Sequence, residues 1–349
     1  MPPRCAGIIC KQKAKNKLWA CRPKTLWYDT TVELSIAPGR VIPGGVDVVG
    51  FGLNTIDLMA VVARYPEPDT KQPLVDFVER PGGQAATAMT ACARLGWRAR
   101  YVGRFGDDVR GHLARASLAD EGVDLSACEH VSAPQPFSLV LVDGDGRRTV
   151  LWSRAPALNM DAGDVPSAVV TSGRVLLVDC HQTAAATRAA ACARRSGVPT
   201  MVDVEKVRPG VEELLAEIDL IVTARAFPEA FTGISGIGSA LSALARSFGP
   251  ALVCATLGPE GSLAIVEGKE IRSPGFQVSV VDTTGAGDVF RGGFISGWLA
   301  AGPHAQVEQV LEYANAVAAL KCRALGARSA IPRRAEVERF LASAGRSLV

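Results

Sequence analysis

From Val175 onward the chain alternates short β-branched apolar runs with longer stretches whose small apolar residues recur at helical spacing. The runs predict strands at Val175–Asp179, Val198–Val202, Asp219–Thr223 and Ala251–Thr256. The stretches between them predict helices at Thr183–Arg195, Val211–Ala216 and Ser239–Phe248. Strands alternating with helices of this length imply an α/β fold in which a mostly parallel sheet is covered by helices on both faces. Upstream, Val46–Leu53 reads as a buried first strand, and a helix-like, Ala-rich run ends near Leu95. Asp108–Glu121 has the spacing of an amphipathic helix. The alternating runs Phe137–Val142 and Arg148–Trp152, joined by Asp143-Gly144-Asp145-Gly146, predict a hairpin. With strand-like pieces between 58 and 80, punctuated by Pro66, Pro68 and Pro73, the 136–153 region predicts a small β lid. Near the C-terminal end a β-branched run closes at Asp282 and reads as a strand end. Helices are expected through Ala301, over Val307–Leu325 and over Arg333–Leu341.

Composition narrows this picture. The 349 residues are 48% hydrophobic, with no apolar stretch long enough for a membrane span, which suits a cytoplasmic α/β enzyme. Nine scattered cysteines form no Cys-x-x-Cys pair and read as reduced thiols. The net charge of +3 is unevenly spread. Residues 1–45 hold eight Lys/Arg against Asp29 and Glu33, so the rest is mildly acidic and offers no nucleic-acid footprint. Residues 1–45 lack periodicity and the apolar core of a secretory leader; they are expected to be a basic, disordered extension ahead of a domain over 46–342.

The densest candidate chemistry lies at Asp282-Thr283-Thr284-Gly285-Ala286-Gly287-Asp288. Gly285, Ala286 and Gly287 let backbone amides approach an anion at a helix N-terminus, where the dipole favours phosphate. Asp288, in the first turn, is placed to act as a general base for a hydroxyl that attacks phosphorus. A capped strand-to-helix turn would read the same way if it stood alone. It does not: Gly52 is followed five residues later by Asp57, Gly82-Gly83-Gln84 opens the Ala-rich helix that carries Thr87, and Thr256-Leu257-Gly258-Pro259-Glu260-Gly261 forms a second glycine loop. His181, Asp203, Glu205 and Arg208 fall just past strand ends, where open α/β sheets place ligands, but their spacing is not diagnostic. No Gly-x-Gly-x-x-Gly follows the first strand, which argues against a dinucleotide-binding dehydrogenase.

Together these strings resemble the ribokinase (PfkB) family of carbohydrate kinases, in order, from Val46 to Pro332. The resemblance implies a ribokinase-like fold and transfer of the ATP γ-phosphoryl to a hydroxyl of a sugar or sugar derivative, with Mg²⁺ accompanying ATP. It makes Asp288 the base and the amides of Gly285, Ala286 and Gly287 the anion hole. Asp57, Gly83, Gln84 and Thr87 would hold the acceptor, and Thr256, Gly258, Gly261 and Asn315 the nucleotide. Asp282 would carry K⁺ or another monovalent cation with the loop Gly326-Ala327-Arg328-Ser329. The lid strands would offer a homodimer interface. Two departures stand out: Thr87 replaces the usual Asn, and Thr223 and Ala226 stand where an Asn-x-x-Glu motif would help organise Mg²⁺. The strings around Gln84, Asp288 and Lys321 are also similar to the sulfofructose kinase branch. A nucleoside kinase and a non-catalytic sugar- or nucleotide-binding relative are the rival readings.

Overall fold

The computed structural model describes residues 31–144 and 147–345. The first elements are β1 (Val48–Phe51), β2 (Thr55–Val61), β3 (Asp76–Gly82), α1 (Gln84–Arg94), β4 (Ala99–Val102), β5 (Arg104–Gly106), α2 (Val109–Ala119) and β6 (Glu129–Val131). There follow β7 (Phe137–Val142), β8 (Arg148–Ser153), α3 (Ser167–Val170), β9 (Val175–Asp179), α4 (Thr183–Arg195), β10 (Thr200–Val204), α5 (Val211–Leu215) and β11 (Leu220–Ala224). The last are α6 (Phe227–Thr232), α7 (Ile237–Phe248), β12 (Leu252–Thr256), β13 (Ser262–Val266), β14 (Lys269–Ser273), α8 (Ala286–Ala301), α9 (Val307–Lys321) and α10 (Arg334–Ser343).

The main sheet runs β14-β13-β12-β11-β10-β9-β1-β4. Its pairs from β12 to β4 are parallel, while β13 and β14 fold back antiparallel at one edge. Side chains alternate across a strand, so each central strand feeds two cores. Val48, Leu177, Met201 and Val222 join one core with residues of α1, α8 and α9. Val49, Val178, Val202 and Ile221 join the other with residues of α4, α5 and α7. This is the three-layer architecture that the alternating runs predict.

The lid is a separate sheet in the order β3-β2-β7-β8. β7 and β8 pair antiparallel from Phe137↔Ser153 to Val142↔Arg148, as the hairpin pattern predicts; two of the turn residues, 145 and 146, lie outside the described residues. Asp57 sits on lid strand β2 rather than on β1.

Two expectations change. The β-branched run ending at Asp282 is not a strand: Val280 and Val281 are exposed, and the amides of Val281 and Asp282 donate to the carbonyl of Cys322 at 2.8 and 3.2 Å. With no neighbouring strand among the described residues to complete a ladder, β propensity has nothing to act on. The extension is also shorter than expected. Val32 and Leu34 are buried, Leu34 N donates to Ala305 O at 2.9 Å, and Val32 N donates to the Glu308 carboxylate at 3.2 Å. The packed unit therefore begins at Val32, and the remainder of the expected extension, residues 1–30, lies outside the described residues.

Candidate active site

Helix α8 opens at Gly285, whose φ of 75° is left-handed and whose Cα hydrogen faces Ala327; a Cβ there would stand 2.8 Å from the Ala327 Cβ. Only glycine turns the chain this sharply against that loop. The turn leaves the amides of Gly285, Gly287 and Asp288 without an acceptor among the described residues, while Ala286 N donates to Thr283 O at 3.1 Å. The amide of the N-cap Gly285 and the amides of Gly287 and Asp288 in the first turn of the sixteen-residue α8 are thus free.

Asp282 builds this turn from below. Its Oδ1 accepts from Thr284 N at 2.9 Å and Thr284 Oγ1 at 2.8 Å, and its Oδ2 accepts from Gly326 N at 2.8 Å. Against the upward push of burial, these donors hold its carboxyl below the usual carboxylate range. The Asp282 carbonyl accepts from Lys321 Nζ at 2.9 Å, and that lysine is wholly buried. From above, Arg148 of the lid donates to Thr284 Oγ1 at 3.2 Å.

Asp288 does not stand alone. The ends of β9 and β10 carry Asp179 and Asp203, both buried. Arg291, one turn along α8 from Asp288, lies 2.9 Å from Asp203 Oδ1 and donates to Val222 O at 3.0 Å. Burial pushes the Asp288 carboxyl up to about 6, offset in part by Arg291 and raised further by Glu205 and Asp179. Burial likewise pushes Asp57 up to about 6, with Arg328 opposing and Asp288 adding to the rise. The two carboxylates of the predicted site therefore feel each other directly.

The acceptor residues divide. Gly83 has a φ of 93° and packs on the Leu53–Asn54 backbone, so the turn before α1 closes against the end of β1. The buried Oε1 of Gln84 has no donor, an acceptor free for a hydroxyl. Thr87 is different: it is fully buried on the inner face of α1 and its Oγ1 accepts from Arg328 Nε at 3.3 Å. It anchors Arg328 rather than facing an acceptor. Arg328 also donates to Ser117 Oγ at 3.1 Å and to Gly82 O, and burial pulls its guanidinium down to about 10 while Asp57 sustains the charge. Sequence reasoning named Arg328 only within the closing loop; one arginine after a Gly-Ala turn carries no signal of the partner it will meet 241 positions away.

Beyond the turn lies a cavity of about 320 Å³ lined by Thr256, Gly258, Gly261, Ala286, Gly287 and Asn315, among others. All four residues predicted for the nucleotide therefore line one cavity, together with Ala286 and Gly287 of the turn. Asn315 is itself pinned, donating to Ser262 Oγ at 3.1 Å, Ser273 Oγ at 3.0 Å and Ser273 O at 3.1 Å.

The model of the pfkB family carbohydrate kinases matches residues 46–334. The chain belongs to this family. As a carbohydrate kinase it is a phosphotransferase acting on a sugar hydroxyl, and it shares the mostly parallel, helix-covered sheet of its relatives. The kinase is 31% identical over 290 residues to an ATP-dependent ribose-1-phosphate kinase of Halopiger xanaduensis, covering 82% of this chain and 95% of the relative. It is 28% identical over 322 residues to fructokinase-1 of Oryza sativa, covering 85% and 98%. A ribokinase of Arabidopsis thaliana solved with ribose and ATP superimposes with a TM-score of 0.73 at 25% identity, over 85% of this chain and 99% of that one. No helix among the kinase's described residues is long and apolar enough to cross a membrane.

Proposed function

We propose that this kinase transfers the γ-phosphoryl of ATP to a hydroxyl of a sugar derivative, with Asp288 as general base. The observation that carries the reading is the juxtaposition at the start of α8. A carboxyl tuned to about 6 follows free helix-N-terminal amides, a 320 Å³ cavity reaches Ala286 and Gly287 of the same turn, and the Asp288 charge is felt by Asp57. ATP would lie in that cavity along Thr256, Gly258, Gly261 and Asn315, with its terminal phosphate at the amides of Gly285 and Gly287. Asp57 and the free Oε1 of Gln84 would accept hydrogen bonds from acceptor hydroxyls. Asp288 would take the proton of the attacking hydroxyl as the amides hold charge on the moving phosphoryl group.

Among the described residues no group of three or more His, Cys, Asp or Glu could cage a metal ion by itself. Mg²⁺ needs no such cage, since it prefers phosphate and water oxygens with one or two carboxylates. Asp203, which faces Arg291 at 2.9 Å, and Glu205, paired with Arg208 at 3.3 Å, are the carboxylates that would hold it. Mg²⁺ would offset phosphate charge. A monovalent cation at Asp282 fits less well. The carboxylate is occupied by three donors and the carbonyl already faces the Lys321 ammonium, so we assign the fixed positive charge there to Lys321 rather than to K⁺. A second copy of the chain is the partner we assign to the lid, whose edge strand β8 exposes Val150, Leu151 and Trp152. Cys92, Cys128, Cys180, Cys192, Cys254 and Cys322 are free thiols, which supports a reducing, cytoplasmic setting.

The test is phosphoryl transfer from ATP with Mg²⁺ across a panel of sugars and sugar derivatives. Turnover that disappears in Asp288→Asn supports the reading. Tight sugar binding with no turnover on any acceptor would sink it.

A further inference from the structure

Arg291 lies one turn along α8 from Gly287, and its head group folds back under that turn. A Cβ added at Gly287 would stand 2.7 Å from Arg291 Nη1. Only the bare Cα of glycine lets a guanidinium lie this close to the start of the helix. Gly287 also lines the 320 Å³ cavity, and its amide has no acceptor among the described residues. One residue of the turn thus carries a free amide and rests on a cation.

The guanidinium is 2% exposed, and its donors are unequally used. Nη2 lies 2.9 Å from Asp203 Oδ1 and donates to Val222 O at 3.0 Å, which fastens the head group to β10 and β11. Nε is buried without an acceptor, and Nη1, the nitrogen nearest Gly287, makes no hydrogen bond among the described residues. A guanidinium can only donate, so its two idle nitrogens at this depth are costly unless an anion comes near.

The other cations around the turn are committed. Lys321 donates to the Asp282 carbonyl at 2.9 Å, Arg328 is held by Thr87, Ser117 and Gly82, and Arg208 pairs with Glu205 at 3.3 Å. Arg148 reaches Thr284 from the lid and is exposed. Negative charge is concentrated in the same place. Burial pushes the Asp203 carboxyl up against the pull of Arg291, and Asp288 and Asp179 add to the rise, so the three carboxyls lie within electrostatic reach of one another. A triphosphate brought to this turn is repelled by them unless a fixed cation offsets their charge.

We propose that Arg291 is that cation: from beneath Gly287 it offsets the carboxyls of Asp179, Asp203 and Asp288 and steadies the terminal phosphate of ATP at the turn. It acts through the turn and is a positioning residue. The inference rests on the ATP-dependent kinase reading and adds to it a residue that reading does not use.

Calorimetric titration with ATP and with adenosine tests the role, with divalent metal chelated so that Asp203 and Glu205 act on no Mg²⁺. The nucleoside reports the cavity, and the difference between the two ligands reports the phosphates. Arg291→Gln should weaken ATP by about tenfold or more, the scale of one unit charge several ångströms away inside a protein, and leave adenosine within about twofold. Arg291→Lys keeps the charge without the planar fork and should recover most of the ATP affinity. Equal losses on ATP and adenosine, no loss on either, or a lysine variant as weak as the glutamine one overturns the role. Arg291→Gln leaves Asp203 without its partner. Where that unfolds the chain, the comparison is between Asp203→Asn and the double variant Arg291→Gln/Asp203→Asn, which differ only in the cation. A gap of the same size on ATP alone supports the role, and equal ATP binding overturns it. A native chain that does not bind ATP would end the kinase reading and the role together, whereas native ATP binding with no gap between the variants ends the role alone.

Discussion

Asp288 owes its chemistry to where its side chain is held. In water a carboxyl near 4 is a weak base at neutral pH; burial, with the charges of Glu205 and Asp179 adding to it, moves this one to about 6, closer to the range where a base is both deprotonated and effective. Two outcomes belong to this residue. Asp288→Asn should lower kcat by about 10²- to 10⁴-fold with little change in ATP affinity, measured by steady-state kinetics and nucleotide titration. In the native kinase kcat/KM should fall as pH drops through about 6, because both Asp288 and Asp57 gain protons there. A profile flat from pH 7 to 5 would remove Asp288 as the base. The same shift has a sign for stability. A folded pKa above the unfolded value of 3.8 means that the folded state binds the proton more tightly. The ionised carboxylate is therefore a burden at pH 8, and Asp288→Asn should raise Tm there, with the difference shrinking toward pH 4.

At the scale of elements, the turn before α8 is held by its neighbours. Asp282 ties the loop before α8 to the loop after α9, and Lys321, at the last residue of α9, closes the connection with a buried ammonium. If Lys321 supplies the fixed charge, activity should be the same in K⁺ and Na⁺ buffers, and Lys321→Met should lose both activity and melting temperature. Several-fold stimulation of the native kinase by K⁺ would contradict this. Gly285→Ala should cost about 1–2 kcal/mol of backbone strain at its left-handed φ, and more from the contact with Ala327. Its kcat should fall more than its ATP affinity, since the anion turn moves while the cavity wall at Thr256 and Asn315 does not.

For the molecule as a whole, the lid is the second sheet, set apart from the main one. It carries Asp57 on β2, reaches Thr284 through Arg148, and leaves β8 exposed along its whole length. An open, apolar edge strand invites pairing with another chain. Trp152→Glu should therefore shift the kinase toward monomer in light scattering after size exclusion, whereas a native kinase that is already monomeric would refute the lid interface.

Periodicity alone determined the three-layer sheet. β9, α4 and the β7 strand follow from it residue for residue, because a strand buried on both faces and a helix packed on a sheet each impose their own repeat on apolar positions. The geometry of the candidate anion turn was legible for a similar reason: the left-handed Gly285 and the start of α8 at Ala286 are specified by adjacent residues. What the tertiary structure decided are contacts between distant segments. Thr87 and Arg328 meet across 241 positions, Arg154 meets His181 across the lid, and Val32 meets Glu308 across 276. A lone arginine or threonine has no period and no motif, so its partner is set only when the sheet brings strand ends together. The segment before Asp282 shows the converse: its β-branched residues predict a strand, yet no neighbouring strand lies beside it, and it becomes the wall of a cavity instead.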